Sequence, residues 1–115
     1  MKKIYIAGKV TGEDLEKTAR KFKEAELKLT AMCFEAVNPI EVVNNSDTPW
    51  SDAMKTCIKA MLDCDGVVIL PDWKLSQGAR IERQIAYDLD IPIFNYDDFG
   101  LKILKAKLCS QQPTP

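Results

Sequence analysis

Histidine is absent from the 115-residue sequence, and its absence excludes several kinds of active site. A triad that depends on an imidazole base cannot form, and a zinc site is difficult to build without imidazole ligands. Neither charge is in strong excess, because 16 basic and 17 acidic residues leave a formal net charge of −1. Such a weak field does not favour duplex nucleic acid. We therefore expect no metal, no cofactor and no duplex nucleic-acid partner, and a small molecule as the ligand.

Long apolar runs and paired cysteines are also missing. No stretch approaches the ~20 apolar residues that a helix needs to cross a bilayer, so we expect no membrane partner. Cys33, Cys57, Cys64 and Cys109 form no Cys-x-x-Cys pair, and no signal-peptide pattern precedes the first apolar segment. These features are typical of reduced thiols, and we expect a cytoplasmic protein.

The length and composition favour one domain. A chain of 115 residues buries roughly two-thirds of its unfolded surface. Apolar residues make up 46% and charged residues 29%, as in ordinary soluble globular proteins. We expect a single domain at residues 1–109 and a disordered tail at residues 110–115.

Short apolar segments bounded by turn residues predict strands at residues 2–7, 34–37, 67–70 and 91–95. The Asn-Pro pair after the second strand forces the chain out of the sheet. Residues 40–48 then form a polar connection, which is predicted to be either a mobile lid or a plain surface loop.

Apolar residues at helical spacing predict four helices. The first has an apolar stripe along one face, formed by Leu15, Ala19, Phe22, Ala25 and Leu29. The second begins at Trp50, with Thr48 or Ser51 as its cap. Its apolar positions are Met54, Cys57, Ile58, Met61 and Leu62. The third has Ser76 as its cap, and the fourth occupies residues 99–108.

The strands and helices alternate as β-α-β-α-β-α-β-α, which indicates a parallel sheet joined by right-handed crossovers. We expect a flavodoxin-like (Rossmann-like) α/β fold of three layers, with a parallel sheet of order 2-1-3-4 and helices on both faces. The first and third strands are then neighbours at the switch point, where ligands of open α/β sheets bind. Residues 5–12 and 73–82 should therefore line one crevice.

The loop Gly8-Lys-Val-Thr-Gly12 follows the first strand and precedes a helix. Backbone N–H groups in such a loop, together with the helix N-terminus, can bind an anion, and Lys9 adds a positive charge. Gly8, Lys9, Thr11 and Gly12 are therefore candidate binding residues. The spacing matches neither the dinucleotide-binding glycine motif nor the phosphate-binding loop, so a plain turn is the alternative.

A carboxylate interrupts the apolar stripe of the third helix at Glu82. The other members of the stripe are small or apolar, namely Ala79, Ala86 and Leu89. Burial disfavours the charged form of a carboxyl group and raises its pKa, so a glutamate in a cleft is a candidate functional residue. The alternative is an edge position from which Glu82 reaches solvent or pairs with Arg80 or Arg83.

Several short motifs occur together in this chain. They are Ile4-Tyr5-Ile6-Ala7-Gly8 with Gly12, Asn38-Pro39, Trp50 with Met54, and Leu70-Pro-Asp72-Trp73 with Ser76, Gly78, Ala79 and Glu82. With them nearly the whole chain resembles the nucleoside 2-deoxyribosyltransferase superfamily. The resemblance is strongest to a small domain family related to that superfamily and to its branch of 2-deoxynucleoside 5′-phosphate N-glycosidases.

The resemblance implies a nucleoside or nucleotide ligand and a role for several residues. The superfamily glutamate that matches Glu82 attacks the anomeric carbon of a 2-deoxynucleoside, and water or a second base then accepts the sugar. An oxocarbenium-like transition state needs such a carboxylate close to the sugar. The resemblance assigns Tyr5 to holding that carboxylate or the sugar. Asp72 and Gly78 join the binding residues. Trp73 is not part of the family's catalytic core, but its ring can stack on the base at ~1–3 kcal/mol; the alternative is an ordinary loop aromatic that covers the core.

Position 76 distinguishes two branches of the superfamily. Transferases that act on free nucleosides resemble one another in an Asp there, which accepts a hydrogen bond from the sugar 5′-hydroxyl, whereas the nucleotide N-glycosidases have Ser. A hydroxyl can donate to a phosphate that a carboxylate would repel. Ser76 and Lys9 therefore imply a 5′-phosphorylated ligand, and Ser76 can cap the helix at the same time.

Cys57 departs from the superfamily pattern, which usually has an Asp near this position. A thiol with a pKa near ~8.5, raised further by burial, cannot replace a carboxylate at neutral pH. Two hypotheses remain open: an enzyme that cleaves or transfers the N-glycosidic bond, and a catalytically impaired protein that binds, senses or sequesters a nucleotide. An interaction domain without a small ligand is a third.

The resemblance also implies a homo-oligomer, a dimer or larger, because superfamily members complete the crevice from a neighbouring subunit. The helix at residues 54–62 has more apolar positions than one buried face needs. We therefore expect this helix to form the interface.

Overall fold

The structure, a computed structural model, describes residues 1–109. Its strands are β1 (Lys3–Ala7), β2 (Glu35–Val37), β3 (Gly66–Ile69) and β4 (Ile93–Asn95). Its helices are α1 (Leu15–Ala31), α2 (Pro39–Val43), α3 (Trp50–Leu62), α4 (Gln77–Asp88) and α5 (Asp98–Leu108), with a short 3₁₀ turn at Trp73–Leu75. The tail predicted at residues 110–115 lies outside the described residues.

The four strands form one parallel sheet in the order β2-β1-β3-β4, which confirms the predicted fold and topology. All of β3 is buried, as expected for a central strand covered on both faces. β1 and β3 are paired with Tyr5 opposite Val67 and Ala7 opposite Ile69. This register places the carboxyl ends of the two strands side by side.

Alternate residues of the strands face two separate cores, because successive side chains of a strand point to opposite faces. Ile4 and Ile6 pack with α1 and α5 on one face. Tyr5 and Ala7 pack with α3 and α4 on the other. The hydroxyl of Tyr5 therefore lies on the face of the sheet that α3 and α4 cover.

The buried stripe of α1 differs from the prediction at its N-terminal end. Leu15 is 67% exposed and Ala19 is also exposed, whereas Thr18 is buried with Phe22 at the next inward position. Phe22, Ala25 and Leu29 belong to the core cluster that packs on the sheet, whereas Leu15 and Ala19 do not. The predicted inward positions of Leu15 and Ala19 are therefore wrong.

Half of the predicted polar connection at residues 40–48 is helical. Pro39 occupies the first turn of α2, and the Asn38 side chain accepts a hydrogen bond from the Ile40 N–H at 3.0 Å. A proline just inside a capped N-terminus is a favourable helix start. The helix ends at Asn44, whose φ of 52° is left-handed, so only the residues after it form the loop to α3.

The residues that cap α4 and α3 can be compared with the predicted caps. Ser76 caps α4 as predicted, accepting a hydrogen bond from the Ala79 N–H at 3.0 Å. The N-cap of α3 is Pro49, with no side-chain hydrogen bond, so the predicted caps Thr48 and Ser51 are wrong. Proline favours a helix start through its fixed φ rather than through a side-chain acceptor.

The C-terminal ends of α3 and α4 leave two predicted core residues at the surface. Leu89 is 58% exposed because α4 ends at Asp88 and the chain turns back at Asp90, whose φ is 59°. Leu62 is 47% exposed, whereas Cys57 and Met61 of the same α3 stripe are buried.

Within residues 1–109, no helix is both long and apolar enough to cross a membrane.

Gly100 allows α5 to pack closely against the end of β4. A Cβ atom here would overlap the backbone carbonyl of Asn95. We expect Gly100→Ala to lower the free energy of unfolding by about 1–3 kcal/mol, because the overlap displaces backbone rather than a flexible side chain. Urea denaturation measures this change. Lys102→Ala, an exposed control on the same helix, should change it by less than about 0.5 kcal/mol; equal stabilities of wild type and Gly100→Ala would contradict the close packing.

Candidate functional site

A cavity of about 560 Å³ lies at the carboxyl edge of the sheet, within the size range of small-ligand sites. It is bordered by the loop after β1, by α2 and its following loop, by the first turn of α1, and by the N-terminal parts of α3 and α4. Seven residues predicted from sequence line it: Tyr5, Gly8, Thr11, Gly12, Ser76, Gly78 and Glu82. The expected crevice between the first and third strands is therefore present.

The Tyr5 hydroxyl donates a hydrogen bond to Glu82 Oε2, with an oxygen–oxygen distance of 2.6 Å. Tyr5 is fully buried and Glu82 is 5% exposed. The predicted contact between these residues is confirmed. The alternative, in which Glu82 reaches solvent or pairs with Arg80 or Arg83, is wrong because the α4 stripe turns Glu82 toward the sheet.

Burial sets the protonation of this pair. It raises the pKa of Glu82 to about 7, although the hydrogen bond from Tyr5 lowers it in part. Burial, followed by the negative charge of Glu82, raises the pKa of Tyr5 well above its ordinary value, so the hydroxyl remains a donor at neutral pH. The Glu82 carboxyl thus changes its charge close to neutral pH, as a catalytic acid, base or nucleophile requires.

Cys57 lines the cavity beside this pair and is 7% exposed. Burial raises the pKa of its thiol, the Tyr5 hydroxyl lowers it in part, and the charge of Glu82 raises it again. The side chain is therefore a neutral thiol at neutral pH.

Within residues 1–109, no group of three or more carboxylate, thiol or imidazole side chains could hold a metal ion.

Asp72 holds the glycine loop rather than lining the cavity. Its Oδ1 accepts a hydrogen bond from the Lys9 N–H at 3.1 Å, and its Oδ2 accepts one from Lys21 Nζ at 2.6 Å. Lys21 Nζ also donates to the Lys9 carbonyl at 2.8 Å. The three residues join the loop after β1 to the loop after β3. Gly12, whose φ of 82° is left-handed, lets the loop turn into α1 at a position where other residues are strained.

A smaller cavity of about 380 Å³ adjoins the main one, and Lys9 lines it with Gln77 and Leu75. Thr11, Trp50, Ser76 and Gly78 border both cavities. The first turn of α4 begins here. Its Ala79 N–H is paired with the Ser76 side chain, whereas the N–H groups of Gln77 and Gly78 have no carbonyl partner within the helix. A positively charged side chain and free backbone donors therefore meet at this end of the site.

Trp73 lies outside the lining of both cavities and packs against the α3 and α4 core. The Arg83 guanidinium lies 4.7 Å from the centre of its ring, and the Lys74 ammonium lies 5.8 Å from it. This environment corresponds to the predicted alternative, in which Trp73 covers the core.

Sequence reasoning missed several residues of the cavity wall. Trp50 is 41% exposed and borders both cavities, which its place at the end of a loop and the start of a helix could have indicated. Asn44, Asn45 and Ser46 line the main cavity in the segment predicted as a possible lid. Thr18 was not predicted as a cavity residue because the inward positions of α1 were assigned to its neighbours Leu15 and Ala19.

The model of one protein family, described as a domain of unknown function (DUF4406), matches residues 2–95. This range contains all four strands and every residue that lines the two cavities. No curated protein matches the chain.

We expect Glu82→Gln to stabilise the protein more strongly at pH 8 than at pH 4.5. Because the Glu82 pKa is raised to about 7 in the folded state, its stabilising contribution is complete below the unfolded pKa and is lost as the pH rises through 7. Glutamine avoids this loss, so the variant should gain about 2–4 kcal/mol at pH 8 relative to its effect at pH 4.5.

Urea denaturation of both proteins at the two pH values measures this difference. Glu24→Gln removes an exposed carboxylate from α1 and should show almost no such pH dependence. A Glu82→Gln effect of equal size at both pH values would contradict the buried, raised-pKa carboxyl.

Proposed function

Because the chain belongs to the DUF4406 family, whose description names no activity, we propose its function from the site itself. The protein binds a 2-deoxynucleoside 5′-monophosphate and cleaves or transfers its N-glycosidic bond through Glu82. The observation that carries this proposal is the buried Glu82 carboxyl in the cavity, held by Tyr5 at 2.6 Å. The similarity of the motifs around Tyr5, Ser76 and Glu82 to the nucleoside 2-deoxyribosyltransferase superfamily supports the same function.

The hydrogen bond leaves one carboxylate oxygen for chemistry. Oε2 accepts from Tyr5, so Oε1 is the oxygen that attacks the anomeric carbon of the sugar. The new carbon–oxygen bond forms as the carbon–nitrogen bond breaks. The electron pair of the broken carbon–nitrogen bond leaves with the base, and the base takes a proton from water. Water or a second base then displaces Glu82 from the anomeric carbon. A carboxylate nucleophile of this kind is typical of retaining glycosidases.

The smaller cavity is suited to the 5′-phosphate. Lys9 supplies a positive charge there, and Ser76, Gln77 and Gly78 begin α4 at the same place. Phosphates bind at helix N-termini because the free N–H groups and the helix dipole attract negative charge. Lys21 is a weaker candidate for this role, since Asp72 already neutralises it at 2.6 Å.

Binding without turnover is the second candidate function, and Cys57 is the observation that favours it. Its neutral thiol lies beside Tyr5 and Glu82, near the place where the superfamily that the sequence resembles carries an Asp. A thiol cannot supply the charge of that carboxylate at neutral pH. A protein with this site could sense or sequester a nucleotide without consuming it.

We expect slow release of free base from a 2-deoxynucleoside 5′-monophosphate, measured by chromatography. The rate should increase as the pH rises through about 7, because the attacking Glu82 must be ionised and its pKa is raised to about 7. Glu82→Gln should lose the rate by orders of magnitude while still binding the nucleotide, and the control Glu24→Gln should keep it. Tight binding with no base released over hours would support sequestration instead.

Binding itself is tested by thermal shift with nucleosides, nucleotides and cyclic nucleotides, since a ligand at 100 times its Kd stabilises a protein by ~2.7 kcal/mol. We expect Lys9→Ala to weaken nucleotide binding by about 1–3 kcal/mol, the scale of a charge-assisted hydrogen bond, and to leave nucleoside binding almost unchanged. Lys28→Ala, at an exposed position on α1, is the matched control. Equal losses for nucleoside and nucleotide would refute a phosphate contact.

We also propose that the protein is a homo-oligomer that uses α3. Trp50 and Leu62, at the two ends of this helix, are 41% and 47% exposed, and such apolar residues are typical of protein interfaces. We expect light scattering at micromolar concentration to give at least twice the 13.0 kDa mass of one chain. Leu62→Lys should shift the distribution toward the single chain, and a purely monomeric wild type would refute the proposal.

A further inference from the structure

Thr18 carries a buried hydroxyl that has no hydrogen-bond partner within residues 1–109. The residue lies on α1, is 3% exposed and borders the main cavity. The helical threonines Thr30 and Thr56 behave differently, because their hydroxyls donate to the carbonyls four residues earlier, at 2.9 and 3.0 Å. Thr18 is thus a helical threonine that does not use the bond its own helix offers.

An unpaired buried hydroxyl is costly, because it has lost its hydrogen bonds with water and gained none in the protein. Most buried polar groups are paired, so each exception calls for a physical reason. Thr18 borders the main cavity, so a group that enters the cavity beside α1 can come within reach of its hydroxyl. A ligand in that cavity would supply the missing partner.

The surroundings of Thr18 indicate the chemistry of that ligand. The cavity wall contributed by α1, α2 and the loop before α1 includes five apolar residues, Val10, Leu15, Pro39, Ile40 and Val43, and beside Thr18 the polar Thr11 and Glu13. Glu82 belongs to α4, in the layer on the other face of the sheet. A ligand that reaches both Glu82 and Thr18 therefore crosses the carboxyl edge of β1, with its apolar part toward α1 and α2.

An anion does not fit the α1 end of the cavity. Most of its wall residues are apolar, and the Glu13 carboxylate also lines the cavity, so a phosphate here would lose hydration and meet a like charge. Lys9 lies instead in the adjoining smaller cavity. A flat heterocycle with polar atoms only at its edge matches mostly apolar walls beside the Thr18 hydroxyl.

We infer that Thr18 is a specificity-determining residue for the base of the bound nucleotide. Its hydroxyl pairs with an exocyclic amino group or oxygen of the base, while the apolar walls contact the ring faces. A hydroxyl can donate or accept a hydrogen bond, so it can pair with either group. It therefore distinguishes a base that carries such a group from a base that does not. This inference rests on the proposed nucleotide ligand, and it holds whether or not the N-glycosidic bond is cleaved.

The test compares two ligands and two threonine variants by calorimetry, in a Glu82→Gln background that prevents loss of the ligand. The first ligand is the tightest-binding of the common 2-deoxynucleoside 5′-monophosphates. The second is its analogue with hydrogen in place of the exocyclic polar group. With Thr18 present, the analogue should bind roughly three- to tenfold more weakly, the scale of one hydrogen bond. In Thr18→Val this preference should disappear, whereas the control Thr30→Val should retain it.

A second measurement needs no ligand. Thr18→Val replaces an unpaired hydroxyl with a methyl group of similar shape, so the melting temperature should stay the same or rise. A clear fall in melting temperature would show that the hydroxyl is already paired in the free protein and would overturn the inference. An unchanged ligand preference in Thr18→Val would overturn it as well.

The failure of the proposed function is distinguishable from these outcomes. If the nucleotides bind but no base is released, the proposed reaction fails while a loss of preference in Thr18→Val still supports the base contact. If no nucleotide binds to the wild-type protein, both the proposed ligand and the inference about Thr18 are refuted.

Discussion

The hydrogen bond between Tyr5 and Glu82 joins the sheet to α4, and it exists only because β1 and β3 are neighbours. Tyr5 lies opposite Val67 in the pairing of these strands, so its ring extends into the same layer as α4. The α4 stripe then turns Glu82 back toward the sheet, where it is 5% exposed. A change of strand order, or a shift of one residue in register, would move Tyr5 away from the carboxylate. The chemistry of the site is therefore a consequence of topology.

The charges around the cavity are arranged so that most of them are already paired. Lys21 and Asp72 neutralise each other at 2.6 Å while they hold the loop after β1, and Glu13 lies 3.5 Å from the same ammonium group. Glu82 has a hydroxyl as its partner rather than a cation, so burial dominates its pKa. The loop that borders the site is held before any ligand arrives, which lowers the entropy that binding must overcome.

The fold and the centre of the site were predictable because each depends on a regular pattern. Short apolar strands and helical stripes predict the order of elements, and parallel topology then brings Tyr5 to Glu82. The wrong predictions of burial concern residues that continue a helical stripe where no core covers them. Leu15 fits the α1 stripe but is exposed in the first turn of the helix, and Leu89 fits the α4 stripe but follows the end of the helix. Thr18 could not be found from periodicity, because only the packed structure reveals that its hydroxyl has no partner.

The short outer strands of the sheet limit how copies of this protein can associate. β2 and β4 each have three residues, and the exposed side chains of Glu35 and Asn95 lie on them. Short edges with polar or charged residues are poor templates for adding a further strand. Continuous sheets that run from one molecule to the next are therefore disfavoured, as is the fibrous aggregation that such sheets begin. Stable association would have to use the helical faces, which leaves the carboxyl edge of the sheet open to small molecules.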